Sequence, residues 1–367
     1  MTAGFEDTFS SSTDQEDVVV SIDAMGGDRG PGAVVAGMVL SVKNHPDIRF
    51  AIHGDEPKLR RLIGKRKLLA DRCEIFHTER TVAMDEKPSH AMRNGKGTSM
   101  WGAIESVRDG AASVAVSCGN TGALMAVSMI RLRKAPGVTR PAIAVLFPSR
   151  NPQSFNIMLD VGADIRADAK DLLQYALMGT SYARNGLGLT QPRIGLLNVG
   201  TEEHKGHAVL KEAHDLITSV AAENGLTFVG FVEGGDIPSD KVDVIITDGF
   251  TGNVALKTAE GTASLIRELL AKAFRYSPLS RLGALFALTS LRRLSRRIDP
   301  RRVNGGVFLG LNGIVIKSHG DADATGVSAA IGLAYRLAQN DFSKKLSARV
   351  ASGSAGRDDA PALAAES

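Results

Sequence analysis

Cysteine is nearly absent from this sequence, with Cys73 and Cys118 the only two among 367 residues. Two thiols cannot build a disulfide framework or a four-cysteine zinc site, and their scarcity fits a reducing compartment. No apolar run approaches the roughly 18 residues that span a bilayer, so no transmembrane helix is expected. The first 17 residues are polar and hold no hydrophobic h-region, so no secretory signal is expected and the anticipated setting is cytoplasmic. Familiar catalytic signatures are missing as well. The two Gly-Lys pairs, at Gly64 and Gly95, have Leu59 and His90 where a P-loop needs its first glycine. No strand pattern runs into a full GxGxxG, and neither GxSxG nor HExxH occurs. Nucleotide chemistry, a serine nucleophile and a zinc hydrolase all lose weight, and no cofactor and no metal are expected.

What is present is typical of a globular α/β chain: 43% hydrophobic residues, 23% charged residues and 39 glycines. Short β-branched runs recur at 18–22, 48–52, 114–117, 143–147, 157–161, 194–199, 228–232, 242–247 and 314–317. Most are apolar without alternation, as in strands buried on both faces. Helical patterns lie between them at 32–43, 99–109, 169–185, 207–224, 254–274 and 324–340. This alternation predicts a three-layer α/β/α fold around a mainly parallel sheet. The stretch 148–155 (PSRNPQSF) is too short and turn-rich for a helix, so its flanking strands should pair antiparallel and make the sheet mixed. Residues 1–17 and 346–367 lack periodicity and read as disordered tails around one domain at 18–345.

Charge is segmented beneath a formal net of +4. Residues 1–17 hold five acids and no base, whereas 275–302 holds eight arginines against Asp299 alone. One basic patch on a near-neutral body argues for a local anionic partner and not for nucleic acid. On a helix, Leu288, Leu291, Leu294 and Ile298 fall within about 120°, and Arg292, Arg293, Arg296 and Arg297 take the other side. Such an amphipathic segment suits an anionic membrane, an acidic carrier protein or a dimer interface.

Strand after strand ends in Gly, Asp or Asn: DAMGGD (23–28), SCGNTG (117–122), DVGAD (160–164), NVGTEEHKG (198–206), DGFTGN (248–253) and SHGDADATG (318–326). Ligands of open α/β sheets bind outside the carboxyl ends of strands, so the six loops are expected to converge on one edge. Glycine-rich turns that open helices present free N–H groups and a positive dipole end, which suits phosphate. These loops, with Lys96 in RNGKGTS and Lys257 in the helical stretch after DGFTGN, supply candidate substrate-binding residues: Asp23, Gly26, Gly27, Asp28, Lys96, Asn120, Thr121, Asp160, Asn198, Thr201, Asp248, Lys257 and His319. Cys118 ends a strand and is read as packing, and a shared helical face for His204, His207 and His214 carries only a weak metal reading.

Five blocks together, IDAMGGD, SCGNTGALM, NVGTEEHKG, VDVIITDGFTGNVALKTAEG and LGLNGIVIKSHG, resemble the bacterial phosphate acyltransferase family over about 18–345. The resemblance implies a fold like phosphotransacetylase and isocitrate dehydrogenase. It implies attack of inorganic phosphate on the thioester of an acyl-[acyl carrier protein], giving acyl phosphate for phospholipid synthesis. No protein nucleophile or cofactor is then needed. Lys205 is expected to grip phosphate, and Asn253 to donate to the tetrahedral oxyanion unless it merely caps a helix. Further implied are a homodimer, a peripheral membrane contact and the glycerol-3-phosphate acyltransferase of the same pathway as partner. Two alternatives stand beside it: an isocitrate dehydrogenase-like oxidoreductase and a non-catalytic scaffold for lipid-synthesis enzymes.

Overall fold

The computed structural model describes residues 18–291, 305–340, 342, 345, 346 and 348. The expectations for Arg292, Arg293, Arg296, Arg297, Leu294 and Ile298 therefore lie outside the described residues, as do 1–17 and most of 346–367.

The strands are β1 (Val19–Asp23), β2 (Arg49–Gly54), β3 (Cys73–His77), β4 (Val114–Ser117), β5 (Ala142–Pro148), β6 (Phe155–Leu159), β7 (Arg193–Leu197), β8 (Thr227–Val232), β9 (Val244–Ile246), β10 (Gly306–Leu309) and β11 (Ile314–Lys317). They form one sheet in the order β3-β2-β1-β4-β11-β10-β5-β6-β9-β7-β8. The helices are α1 (Gly30–Asn44), α2 (Glu56–Ile63), α3 (Pro88–Asn94), α4 (Ser99–Arg108), α5 (Thr121–Arg131), α6 (Ala169–Ser181), α7 (Ala208–Ala221), α8 (Gly249–Arg275), α9 (Pro278–Phe286) and α10 (Ala324–Gln339).

Alternation along β5 splits the core across the sheet. Ala142, Ala144 and Leu146 join a core with α1, α6, α7 and α10, while Ile143, Val145 and Phe147 face the other side, with α4, α5 and α8. The result is the expected three-layer α/β/α fold. The turn at 148–155 does return the chain antiparallel, pairing Pro148 with Phe155 and Ala144 with Leu159.

That reversal corrects the expectation of a single loop edge. β1, β4, β11 and β5 run one way, whereas β6, β9, β7 and β8 are parallel to one another and opposed to β5. The loops after β1, β4 and β11 therefore leave one edge, and those after β6, β7 and β9 leave the opposite one. Two strands go beyond the sequence pattern: β3, a half-exposed edge strand carrying Glu74 and His77, and β10, only four residues long.

Candidate active site

A cavity of about 460 Å³ lies on the α8 face of the sheet and joins the two loop edges. Its floor is β5, through Ile143, Val145 and Phe147, and its roof is α8, through Leu256, Ala259 and Ala263. Those roof positions recur at helical spacing and share one face. Its side wall is the end of β11, Lys317 to Gly320, with Met84 and Thr121.

α8 approaches the sheet closely because its first turn is shaped for it. Asp248 caps the helix, accepting from the Thr251 N–H at 2.9 Å and from its hydroxyl at 2.7 Å. A side chain at Gly249 would meet the Asp160 carboxylate at 2.6 Å, and one at Gly252 would overlap the Asp160 carbonyl. Asp160 is fully buried and accepts from the backbone N–H groups of Ile143, Gly162, Ala163 and Asp164. Burial raises its pKa, with those N–H bonds opposing the shift. It organises the loop and is not among the residues that line the cavity. Asn253 sits beyond the cap, so the cap reading is corrected: its Nδ2 donates to the Val161 carbonyl at 3.0 Å and the residue lines the cavity.

At the other edge Asp23 plays the matching part. It is buried, accepts from the Met25 and Gly26 N–H groups at 3.3 and 3.2 Å, and takes the Ser117 hydroxyl at 2.7 Å. Gly26 is needed there, since a Cβ would come within 2.7 Å of the Gly119 nitrogen. Gly27 has φ +91° and packs against Cys118 and the Gly320 carbonyl, to which Asp28 donates at 2.7 Å. Asn120 caps α5, accepting from Ala123 at 2.9 Å, and ties down the Met84 carbonyl at 2.6 Å. Thr121, the first residue of α5, thereby lines the cavity beside the positive end of that helix.

The charged groups of the cavity form one cluster. Glu260 accepts from His319 Nε2 at 3.1 Å and from Lys257 Nζ at 2.8 Å. Burial pulls the Glu260 carboxyl upward, but these two partners outweigh it and hold it down at about 2. An ionised carboxylate only accepts, so His319 carries a proton on Nε2. Lys317 continues the apolar run of β11 onto the cavity face, and its Nζ donates to the Ser318 carbonyl and, at 3.5 Å, to the Cys118 carbonyl. Burial and the nearby Lys257 push its pKa down to about 8, while Cys118, Asp23 and Asp28 pull the other way.

Several expected residues stand elsewhere. Lys205 is exposed on the loop after β7, pairs with Glu202 at 2.8 Å and does not line the cavity. Thr201 shares that loop, and Asn198 closes it by donating to the Lys205 carbonyl at 3.2 Å. Lys96 is exposed and uses its carbonyl to accept from Arg80 at 2.6 Å. His204 and His207 precede α7, and only His214 lies on the helix, packed on Phe228 and Phe231, so the shared helical face is corrected. Cys118 is buried, and burial raises its thiol pKa.

Lys317 and Glu260 are site residues that sequence reasoning missed. For Lys317 a signal existed: a lysine extending the apolar run of a central strand is costly to bury unless something in the site uses it. Glu260 reads as one more helix-surface acid until the fold brings His319 to it.

The sequence and the fold are shared with known proteins. The family model described as "Fatty acid synthesis protein" matches residues 18–345. The phosphate acyltransferase of Jannaschia sp. (strain CCS1) is 70% identical over 339 residues, covering 92% of this chain and 93% of its own. That of Paracoccus denitrificans (strain Pd 1222) is 67% identical over 338 residues, covering 92% and 91%. Among solved structures, a phosphotransacetylase from Streptococcus pyogenes aligns with a TM-score of 0.57 at 17% identity, over 88% of this chain and 94% of that one, a likeness of fold alone.

Proposed function

The chain belongs to the fatty acid synthesis protein family, is similar throughout to phosphate acyltransferases, and is itself an acyltransferase; from that premise we propose that it makes acyl phosphate from fatty acyl-[acyl carrier protein] and inorganic phosphate. The observation that carries this reading is one cavity that combines apolar walls with the polar groups of Asn253, Lys257, Lys317 and His319. The oxidoreductase and scaffold alternatives give way to the acyltransferase assignment.

Phosphate is the nucleophile. Lys257 and Lys317, with the amino end of α5, hold the dianion and set an oxygen against the thioester carbonyl. As the carbon–oxygen bond forms, charge collects on the carbonyl oxygen, and Asn253 Nδ2 supplies an N–H to it. The carbon–sulfur bond then breaks, and its electron pair leaves with the carrier's sulfur. The proton of the attacking hydrogen phosphate ends on that sulfur, so the products are acyl phosphate and free thiol. His319, oriented through Nε2 by Glu260, is the group placed to move that proton. Lys205, on the opposite edge, outside the cavity lining and paired with Glu202, adds only a screened positive charge to phosphate capture.

The same proposal takes in the setting: acyl phosphate for phosphatidic acid synthesis, handed to a glycerol-3-phosphate acyltransferase, by a cytoplasmic homodimer resting on the membrane. No helix among the described residues is long and apolar enough to cross a membrane. Support for surface contacts comes from the second half of α8 and from α9, which expose Leu265, Ile266, Leu269, Leu279, Leu285 and Phe286. Leu288 is 37% exposed and Leu291 half-buried beyond them.

Incubation with acyl carrier thioester and phosphate, followed by thiol release, tests the reaction. Release should require phosphate and proceed without nucleotide or divalent metal; release that ignores phosphate, or acyl trapped on Cys118, would overturn it.

A further inference from the structure

The arginine-rich segment at 275–302 is not the only basic one. Residues 58–72 hold seven bases against Asp71 alone, which corrects the reading of one basic patch on a near-neutral body. The stretch begins in α2, which Asp55 caps by accepting from the Lys58 N–H at 3.1 Å, and passes through a single 3₁₀ turn at Lys67–Leu69 into β3. Leu59, Ile63 and Leu69 are buried and fasten it beside α1, while Arg61, Lys65, Arg66 and Lys67 stay exposed around them. Lys58 pairs with Asp55 at 2.8 Å and Arg60 with Glu56 at 2.6 Å. Among the described residues no carboxylate lies within ion-pair distance of the other four cations. Like charges so close repel one another, and an anion laid across them relieves that repulsion.

We propose that this surface is the docking site for the chain's own acidic segment, residues 1–17, which holds Glu6, Asp7, Asp14, Glu16 and Asp17 and no base. The place where that segment joins the fold favours it. β1, β2 and β3 are parallel neighbours, so their amino ends share one edge, and backbone hydrogen bonds link Val18 to the basic stretch. The Val18 carbonyl accepts from Arg49, the Arg72 carbonyl from Phe50, the Leu69 carbonyl from Arg72 and the Arg66 carbonyl from Leu69, at 2.8 to 3.1 Å. Two strand spacings of about 4.8 Å, one residue step and two turns of at most about 7 Å place Arg66 within roughly 30 Å of Val18. At about 3.3 Å per residue, about nine residues cover that distance, and 1–17 offers more. Tethering brings the effective concentration to the order of mM, so the segment meets the surface ahead of a dilute free polyanion. A membrane is the poorer partner. The apolar residues exposed for one, such as Leu269 and Phe286, belong to α8 and α9, and α8 covers the opposite face of the sheet from α1 and α2. The docked acids thus shield a basic surface that would otherwise collect nucleic acid and other polyanions.

Zero-length carbodiimide coupling of the full-length protein, followed by peptide mapping, tests the contact directly. Amide bonds should join acids of 1–17 to Lys65 or Lys67, and should fade in about 1 M salt, where the screening length shrinks to about 3 Å. Coupling confined to other lysines, or passing only between copies in a mixture of heavy and light protein, would overturn the proposal. The second test neutralises the acids (Glu6→Gln, Asp7→Asn, Asp14→Asn, Glu16→Gln and Asp17→Asn) and measures the Kd for a short fluorescein-labelled oligothymidylate. Uncovering the cations should lower that Kd about tenfold or more at low salt, and adding Arg61→Gln, Lys65→Gln, Arg66→Gln and Lys67→Gln should cancel the gain. None of these four cations is buried or lines the cavity, so the combined variant should fold as wild type does. An unchanged Kd after neutralisation, or a gain that survives loss of the four cations because 275–302 carries it, would sink the docking. Wild type that sediments with phosphatidylglycerol vesicles, and no longer does so once the four cations are replaced, would assign the surface to lipid instead.

Discussion

Helices α8 and α10 lie on opposite faces of one sheet and treat their apolar residues in opposite ways. α10 buries nine of its 16 residues, among them Val327, Ile331 and Leu333, and Gly37 of α1 comes so close that a Cβ there would meet Val327 at 2.6 Å. α8 is longer and buries two glycines. A filled interface confers rigidity and an unfilled one leaves room for chemistry, so substitutions in the two helices should report on different properties. Leu333→Ala should cost about 2 to 5 kcal/mol of stability by creating a new void. Turnover at low temperature should survive it. Leu256→Ala, already beside open space, should cost roughly 1 kcal/mol. Denaturant unfolding of both variants checks this, and equal losses would erase the contrast.

Next in size is the effect of the polar groups that line the α8 cavity. Lys317→Met and Asn253→Ala should each slow the reaction about 10²-fold to 10³-fold, the scale for losing one preorganised donor. They should differ in form. Lys317 grips phosphate before and during attack, so its loss should raise the phosphate KM as well as lower kcat, whereas Asn253 acts mainly on the oxyanion and should lower kcat. Lys205→Ala tests whether the exposed β7 loop shares this work. Its ammonium is screened and already paired with Glu202, so about tenfold or less in the phosphate KM is expected, with kcat unmoved. A larger loss than for Lys317→Met would move the phosphate site to that loop.

The same contrast explains what is legible in the sequence. Both-face burial leaves an unbroken apolar run, so strands such as Val114–Ser117 and Ile314–Lys317 were legible to the residue. The helical pattern expected at 324–340 did nearly as well for α10. β3 and β10 were not, since an edge strand with Glu74 and His77 and a four-residue strand opening on glycine lack that signature. The hairpin at 148–155 was legible, but its consequence was missed. One antiparallel return reverses every strand that follows it on that side, and this sends the loops at 160–164, 198–206 and 248–253 to the far edge. Asn253, Thr121 and His319 were found through their loops and Lys257 in the helical stretch that follows one of them, and all four line the cavity. Lys317 and Glu260 acquire meaning only when β11 and α8, distant in sequence, come together.

The last expected effect concerns pH and separates two members of the charged cluster. Lys317 falls from its ordinary 10.5 to about 8 in the folded protein, so between those values the unfolded chain holds a proton that the folded one has shed. Stability should therefore rise with pH across that window, and below about 8 the full cost of burying the ammonium is present. Glu260 falls from 4.5 to about 2, so its stabilisation is complete above 4.5 and is lost as pH drops toward 2. Substrate handling should move against stability at the alkaline end. Above about pH 8 the Lys317 ammonium loses the charge that holds phosphate, so the phosphate KM should climb while the fold grows firmer. Each effect is roughly 1 to 3 kcal/mol at most, since a tenfold change in proton affinity is worth about 1.4 kcal/mol and some solvent reaches the cavity mouth. Denaturation midpoints and phosphate KM followed from about pH 6 to about pH 10, a range that brackets the Lys317 transition, read both together. Lys317→Met should flatten both alkaline trends, and a wild-type KM that stays level through that range would remove Lys317 from phosphate binding.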